Sequence, residues 1–270
     1  MPSQVAFIGA GKMAEALIKG AVDTRALLPA DIIAVDIDNK RLEYIEKTYG
    51  VTTSNDNIEA ARQAKTIILA VKPQVIDSVL ENIRTAGLSG KLIISIAAGV
   101  TTKHILAILG SELNLVRVMP NAPALVSRGI SAIAAPPNLS EAEQGLIDKI
   151  FRSVGEVVFL DESLINQVTA ISGSGPAYFF YFVKTLIQAG VDIGLTKKVA
   201  TQLAKATIMG AAVMLDATEL ETEELIAMVA SKGGTTEAAL KEFDQSGVSD
   251  TIAQGVFAAF KRAQELDENV

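Results

Sequence analysis

A glycine-rich segment near the amino terminus joins a predicted strand to a predicted helix. The strand is the apolar run from Val5 to Ile8, and the helix is predicted from Glu15 to Val22. Gly9 permits a tight turn, Gly11 lets the backbone approach a ligand, and Ala14 lets the helix pack closely on the strand. Such a turn, at a helix amino terminus, binds the pyrophosphate of a dinucleotide. The six residues of this G-x-G-x-x-A pattern are Gly9, Ala10, Gly11, Lys12, Met13 and Ala14.

Charged residues after the second predicted strand bear on the choice of dinucleotide. Asp36 follows the glycine turn by about 25 residues, where a carboxylate hydrogen-bonds the adenosine ribose, and this favours NADH. Lys40 and Arg41 follow closely and are cations that could offset the 2′-phosphate charge of NADPH. Asp36 or Asp38 could instead cap the next helix. The sequence therefore leaves NADH and NADPH both open.

Two further segments supply candidate cofactor contacts. The apolar run from Thr66 to Val71 is broken at Pro73, which places its tip at the carboxyl edge of the sheet, where ligands bind in open α/β folds. Lys72 could contact ribose or phosphate, or be a solvated lysine at a strand end. Asn55 could reach the adenosine side, or be a plain loop or cap residue. The candidate cofactor contacts in these segments are Asn55, Ala70, Val71, Lys72 and Pro73.

Two segments in the carboxyl-terminal half are dense in small, hydrogen-bonding residues. The first runs from Ser172 to Tyr178 and places Pro176 in the first turn of a long predicted helix. The second runs from Ser231 to Ala238, and its paired glycines let successive amides converge ahead of a helix that begins at Thr235. Such a loop suits a carboxylate or a phosphate, and Thr236 adds a hydroxyl. An ordinary helix-capping turn is the alternative interpretation.

The elements that must position these residues indicate an α/β fold with a second, all-helical domain. Short β-branched runs alternate with amphipathic stretches up to Leu160, as in a Rossmann-type, mostly parallel sheet. After Asp161 the strand-like runs cease. We therefore predict a dinucleotide-binding domain over residues 1–161 and a helical domain over residues 162–270. The predicted strands are Val5–Ile8, Ile32–Val35, Thr66–Val71, Leu92–Ile96, Leu115–Met119, Ser131–Ala134 and Val157–Leu160.

The helical domain contains six predicted helices with Gly, Ser and Thr at most of their junctions. A run of aromatic residues from Tyr178 to Phe182 points in several directions around its helix, which favours core or dimer-interface packing. Arg117 and Lys184 could be anion ligands or solvated side chains. The predicted helices are Glu162–Ala170, Pro176–Gly190, Lys197–Asp216, Thr222–Val229, Thr235–Gln245 and Asp250–Leu266.

The composition excludes several classes of function. The chain contains no cysteine, so disulfides, zinc thiolates and thiol nucleophiles are excluded, and we predict no metal site. A formal net charge of -7 and an isoelectric point near 4.9 disfavour a nucleic-acid partner. The apolar runs are too short to span a membrane, although the mean hydropathy is +0.34. Without a secretory pattern at the start of the chain, we expect a cytoplasmic protein with a small-molecule substrate.

The glycine turn, the two carboxyl-terminal segments, Val71 to Gln74 and Arg117 to Asn121 together resemble the pyrroline-5-carboxylate reductase family, in the same order along the chain. The run from Leu225 to Lys241 is similar to that family's signature. The resemblance implies reduction of 1-pyrroline-5-carboxylate to L-proline by NADPH or NADH. It also implies a helical domain interlocked in a homodimer, with a ring of dimers as a larger assembly.

The resemblance also implies roles for individual residues. The loop from Ser231 to Thr236 holds the substrate carboxylate, and the Thr236 hydroxyl, the one catalytic group assigned, hydrogen-bonds the ring nitrogen. Asn121 joins the cofactor contacts. A protonated cyclic imine is already electrophilic, so hydride transfer needs mainly orientation rather than a strong base. The implied substrate contacts are Ser172, Gly173, Ser231, Gly233, Gly234, Thr235 and Thr236.

Two other interpretations compete with this one. A β-hydroxyacid dehydrogenase has a similar glycine turn, but it carries a lysine on the helix after a glycine-rich segment, whereas Lys184 is the first lysine after Gly175 here. A catalytically idle dinucleotide sensor is disfavoured by the loop from Ser231 to Thr236. The single histidine, His104, falls in a helix predicted from Thr102 to Leu109, and we expect it to face solvent.

Overall fold

The computed structural model describes residues 5–110 and 113–268 of the chain. Backbone contacts divide it into two units. The first unit contains the described residues up to Ser174 and those from Ala259 onward, and the second contains Gly175–Ala258. The domain boundary at residue 161 stays a prediction.

The first unit is built on an eight-stranded sheet in the order β3-β2-β1-β4-β5-β6-β7-β8. Neighbouring strands are parallel except β6 and β7, which are antiparallel. The first six strands therefore have the strand order of a dinucleotide-binding Rossmann sheet, as predicted. The strands are β1 (Val5–Ile8), β2 (Ile32–Val35), β3 (Thr52–Ser54), β4 (Thr66–Leu69), β5 (Leu92–Ser95), β6 (Asn114–Pro120), β7 (Gly129–Ala134) and β8 (Gly155–Phe159).

Side chains of the buried strands alternate between two apolar layers. Phe7 contributes to a core with Leu17, whereas Ile8, the next residue of β1, packs in a second core with Leu80. All four of these side chains are fully buried. The sheet is thus covered on both faces, which explains why its central strands are continuous apolar runs rather than alternating ones.

Helices of the first unit connect these strands. Thr102–Leu109 is helical as predicted, but His104 is partly buried rather than solvent-facing, and its Nε2 lies 2.7 Å from Oδ1 of Asp77. The residues predicted as one helix from Glu162 to Ala170 form a short 3-10 turn, one helical turn and a π-helical turn. The helices are α1 (Lys12–Asp23), α2 (Asn39–Tyr49), α3 (Asn57–Gln63), α4 (Ile76–Ile83), α5 (Thr102–Leu109), α6 (Glu141–Arg152) and α7 (Ile165–Val168).

The second unit is entirely helical in its described residues. The Thr196 hydroxyl caps α9, and a side chain built on Gly190 of α8 would reach Ala200 of α9 at 3.0 Å, so these two helices pack closely. None of the described helices is long and apolar enough to cross a membrane. The helices are α8 (Gly175–Asp192), α9 (Lys197–Ala217), α10 (Thr222–Val229), α11 (Thr235–Gln245) and α12 (Val248–Glu268), the last of which ends in the first unit.

Large apolar side chains of the second unit are exposed within the single chain. Phe179, Phe180 and Tyr181 are 63%, 71% and 70% exposed. Packing in a core is therefore wrong for these residues. Packing in a dimer interface is the interpretation that remains. So large an apolar surface is the usual sign of a protein partner.

Candidate active site

Gly9 makes the turn between β1 and α1 possible. Its φ of +97° is strained for any side-chain-bearing residue, and a Cβ there would lie 2.8 Å from the Ala70 carbonyl oxygen. The Gly9 N–H donates to the Val35 oxygen at 2.8 Å, and the Ala70 N–H donates to the Ile8 oxygen at 2.8 Å. The turn is thus held between β2 and β4, at the carboxyl edge of the sheet.

Gly11 leaves an open space at the amino terminus of α1. It is the N-cap of the helix, no side chain caps the first turn, and a Cβ on Gly11 would meet nothing within 4 Å. Ala14 is 1% exposed and packs in the core beneath the turn. The first amides of a helix have no intrahelical partner, so they can bind an anion. These residues fit a dinucleotide pyrophosphate.

Asp36 and Asp38 have separate structural roles after β2. Asp36 accepts the Ala10 N–H at Oδ2 (2.9 Å) and the Asp38 N–H at Oδ1 (3.1 Å). Asp38 caps α2 by accepting the amides of Lys40 (2.9 Å) and Arg41 (3.4 Å). Helix capping therefore falls to Asp38, while the Asp36 carboxylate ties the glycine turn to the end of β2.

Arg41 is engaged in the glycine turn rather than free. Its Nε donates to the Ala10 oxygen at 2.6 Å, and its Nη2 donates to the Gly11 oxygen at 3.3 Å and pairs with Glu15 at 2.5 Å. The hydroxyls of Tyr44 and Tyr49 also donate to Glu15, at 3.0 and 2.9 Å. Sequence reasoning missed this cluster, because its members meet only after α1 and α2 have packed.

The environment of Glu15 keeps its carboxylate charged. Burial acts to raise the pKa of Glu15, but the hydrogen bonds from Arg41, Tyr49 and Tyr44 outweigh it, so the pKa lies below its ordinary value. Burial and the bond to Glu15 raise the pKa of Tyr49. The ion pair of Glu15 and Arg41 therefore contacts the glycine turn through the Arg41 side chain.

The remaining candidate cofactor residues of the first unit lie at loops after strands. β4 ends at Leu69, two residues before the predicted end, and Lys72 is an exposed residue at the start of a short 3-10 turn that begins at Pro73. Asn55 is exposed after β3, and the cap of α3 is its neighbour Asp56. Both Lys72 and Asn55 are thus accessible to a ligand at this edge.

Asn121 connects the end of β6 to the π-helical turn Thr169–Gly173. Only 8% of Asn121 is exposed; its Nδ2 donates to the Ser172 oxygen (3.1 Å) and its Oδ1 accepts the Ile130 N–H (2.9 Å). A Cβ on Gly173 would lie 2.8 Å from Cε of Met119. The structure therefore brings Asn121, an expected cofactor contact, together with Ser172, an expected substrate contact.

Arg117 is not available as an anion ligand. Its side chain is 4% exposed, pairs with Asp267 at 2.8 Å and Glu162 at 3.3 Å, and so fastens the end of α12 to the sheet. No cluster of side chains suited to a metal ion occurs in the described part of the chain.

The loop between α10 and α11 has one positive φ and two local hydrogen bonds. Gly233 has φ +72°, and its N–H donates to Oε2 of Glu237 at 2.7 Å. The Gly234 N–H donates to the Ser231 oxygen at 2.9 Å, and a Cβ on Gly234 would lie 2.6 Å from the Ser231 hydroxyl oxygen. Gly234 is the N-cap of α11 and no side chain caps this helix.

This geometry leaves part of the loop open to a ligand. Glu237 takes the Gly233 amide, as in a capping turn, whereas α11 begins with the amides of Thr235 and Thr236, which have no intrahelical acceptor. Thr235 is exposed and Thr236 partly so. An anion could therefore bind the first turn of α11 beside the Thr236 hydroxyl.

Comparisons with known proteins agree on one family. A family model described as pyrroline-5-carboxylate reductase dimerisation matches residues 162–266, and one described as NADP oxidoreductase, coenzyme F420-dependent, matches residues 4–99. The chain is 37% identical over 267 residues to the pyrroline-5-carboxylate reductase of Vibrio alginolyticus, a match that covers 98% of each protein.

Solved structures give the same result. A pyrroline-5-carboxylate reductase from Coxiella burnetii superposes with a TM-score of 0.91 at 35% identity, over 98% of this chain and 99% of that one. The Plasmodium falciparum pyrroline carboxylate reductase with NADP bound superposes with a TM-score of 0.87 at 30% identity, over 98% of both chains. Full-length identity at this level confirms the resemblance: the chain belongs to the pyrroline-5-carboxylate reductase family.

Proposed function

We propose that this chain reduces 1-pyrroline-5-carboxylate to L-proline, the last step of proline synthesis, with NADH or NADPH as the hydride donor. The observation that carries the proposal is its full-length membership of the reductase family. The open turn at Gly11 supports it, because a first helical turn that no side chain caps fits the pyrophosphate of either cofactor.

The first unit holds the cofactor in this proposal. The amides at the start of α1 would bind the pyrophosphate, Asp36 and Asn55 would bind the adenosine ribose, and the loop after β4 would supply further cofactor contacts. The bound cofactor supplies a hydride. Asn121 lines the same edge and keeps the π-helical turn in place through the Ser172 oxygen. The full set is Gly9, Ala10, Gly11, Lys12, Met13, Asp36, Asn55, Ala70, Val71, Lys72, Pro73 and Asn121.

The second unit supplies the substrate loop. The amides of Thr235 and Thr236 hold the substrate carboxylate, and the Thr236 hydroxyl bonds the ring nitrogen and so orients the C=N bond. Hydride adds to the carbon of that bond, the C=N double bond becomes single, and the nitrogen keeps its proton. Ser172 and Gly173 of the first unit are further substrate contacts in this proposal, while Ser231, Gly233 and Gly234 give the loop its form.

A homodimer is the minimal unit in this proposal, and a ring of dimers is the larger assembly. The exposed aromatic side chains of α8 support a partner on the helical unit, and the dimerisation model covers this part of the chain. Solution mass measurement tests both states: a monomer contradicts the dimer, and a dimer alone contradicts the ring. A cytoplasmic location stays a prediction, which cell fractionation tests.

The activity is tested by following nicotinamide absorbance after pyrroline-5-carboxylate is added to the protein with NADH or with NADPH. We expect oxidation of at least one cofactor and formation of proline in equal amount. Tight cofactor binding without oxidation of either would contradict the proposal and favour a dinucleotide sensor.

A further inference from the structure

The carboxyl end of β2 is where this fold distinguishes NADH from NADPH. The adenosine ribose binds there, and NADPH alone carries a 2′-phosphate, with about two negative charges. A phosphate in this position needs a free cation or free backbone amides. The groups that matter are the Asp36 carboxylate, the Arg41 guanidinium and the first amides of α2.

The Asp36 carboxylate is fixed at the carboxyl end of β2, beside the proposed ribose position. Its oxygens accept the N–H groups of Ala10 (2.9 Å) and Asp38 (3.1 Å), so two backbone bonds prevent the side chain from turning away. A carboxylate oxygen can still accept a ribose hydroxyl beside these bonds. The fixed charge therefore accommodates a 2′-hydroxyl and repels a phosphate.

The positive charge of Arg41 is neutralised by Glu15. The two side chains are 20% and 15% exposed and meet at 2.5 Å, so solvent and salt screen the pair less than an exposed one. Tyr44 and Tyr49 hold Glu15 in place. Because Arg41 also donates to the carbonyl oxygens of Ala10 and Gly11, it cannot swing toward a phosphate without releasing the glycine turn.

The amino terminus of α2 is also occupied. Asp38 accepts the amides of Lys40 and Arg41, so these two donors at the start of α2 are not free to bind a phosphate. The exposed Lys40 side chain is a further cation near this site. The negative charges of Asp36 and Asp38 counteract its attraction for a phosphate.

We infer that this chain prefers NADH to NADPH, and that Glu15 on α1 determines the preference by holding the Arg41 charge away from the ribose. The inference rests on the proposed binding of the adenosine ribose beside Asp36. Glu15 lies outside the β2 loop and is assigned this role through its ion pair with Arg41.

Direct binding measurements on the full chain test the preference without turnover. The chain has no tryptophan, so the dissociation constants are measured by calorimetry or by the fluorescence of the bound nicotinamide. NADH is expected to bind at least about tenfold more tightly than NADPH, which corresponds to about 1.4 kcal/mol. Equal affinities, or tighter binding of NADPH, would overturn the inference.

Three single variants test which residue determines the preference for NADH over NADPH. Glu15→Gln keeps an oxygen for the tyrosine hydroxyls but frees the Arg41 charge, so NADPH should bind about fivefold more tightly while NADH changes by less than about twofold. Asp36→Asn should strengthen NADPH binding by about tenfold. Glu43→Gln is the matched control, because Glu43 is an exposed residue of α2 paired with Lys47 rather than Arg41.

The outcomes separate this inference from the cofactor site on which it rests. Equal shifts in Glu15→Gln and Glu43→Gln would reject Glu15 as the determinant, since net charge alone would explain them. Unchanged affinity for both cofactors in Asp36→Asn would reject the ribose position itself. If the wild type already binds NADPH more tightly than NADH, and Asp36→Asn strengthens NADPH binding further, the NADH preference is rejected but the ribose position beside Asp36 is retained. Circular dichroism confirms that each variant is folded.

Discussion

The glycine turn after β1 and the loop from Ser231 to Thr236 are both glycine-rich segments ahead of a helix, but they are held differently. The first is fixed by side chains from two other elements, through Asp36 after β2 and Arg41 on α2. The second has two local bonds, from Gly234 to Ser231 and from Gly233 to Glu237.

This difference predicts how each segment binds its ligand. The cofactor turn is pre-organised, so its shape exists before the dinucleotide arrives and less ordering is needed on binding. The substrate loop is more exposed, and its contribution depends on a few amides and one hydroxyl. We therefore expect changes that break the backbone geometry of the turn to lower both stability and cofactor affinity, and changes in the loop to lower turnover.

Gly9→Ala should have the largest effect on the cofactor turn. The positive φ and the Ala70 oxygen leave no room for a methyl group, so we expect the free energy of unfolding to fall by about 3 kcal/mol and cofactor binding to be lost. Gly11→Ala is the control: with open space around it, unfolding should change by less than about 1 kcal/mol while cofactor binding is still lost. Denaturant unfolding and cofactor titration measure both, and equal stabilities would contradict the account.

Thr236→Ala should act on the loop without disturbing the turn. It leaves the ring nitrogen of the substrate unpaired, which typically costs about 1 to 3 kcal/mol, so kcat/KM should fall by about fivefold to 150-fold. Cofactor affinity should be unchanged. Thr236→Ser keeps the hydroxyl and should retain most activity; near-normal kinetics in Thr236→Ala would remove this residue from catalysis.

Arg41→Ala should weaken both cofactors to the same extent. It removes the donor to the Ala10 and Gly11 oxygens and leaves Glu15 without its cation, so we expect about a tenfold loss in affinity for NADH and NADPH alike. Titration with both cofactors measures this. A loss confined to NADPH would mean that Arg41 binds the 2′-phosphate, which contradicts the account of Glu15.

The smallest expected effect is a pH dependence of stability from Glu15. Its folded-state pKa lies below the ordinary value of 4.5, so its contribution to stability is full above that pH and is lost as the pH falls through the lowered pKa. Unfolding of wild type and Glu15→Gln between pH 7 and pH 3 should therefore show a shallower acid dependence in the variant. Parallel curves of stability against pH for the two proteins would contradict the lowered pKa of Glu15.

Much of the fold could be predicted from the sequence, because strands buried on both faces are continuous apolar runs. α10 and α11 begin and end at the predicted residues. β3 was missed because Thr52–Ser54 is a short polar strand at the sheet edge, which gives no apolar signal. The π-helical turn was also missed, since it depends on a bond from the Ser174 N–H to the Thr169 oxygen, at 2.8 Å, rather than on periodicity.

The side-chain chemistry of the turn could be predicted only in part. Gly9 and Gly11 are recognisable because their spacing directly reflects backbone geometry. The pairing of Arg41 with Glu15 is not, because the two residues are distant in sequence and meet through the packing of α1 and α2. From the sequence, the cations Lys40 and Arg41 left NADPH open beside NADH, whereas the structure shows that Glu15 already neutralises the Arg41 charge.

The most direct test is a crystal structure of the chain with oxidised cofactor and L-proline. We expect the pyrophosphate above Gly11, the proline carboxylate on the amides of Thr235 and Thr236, and the Thr236 hydroxyl on the ring nitrogen. Proline bound at any other surface, or a pyrophosphate away from the start of α1, would contradict it.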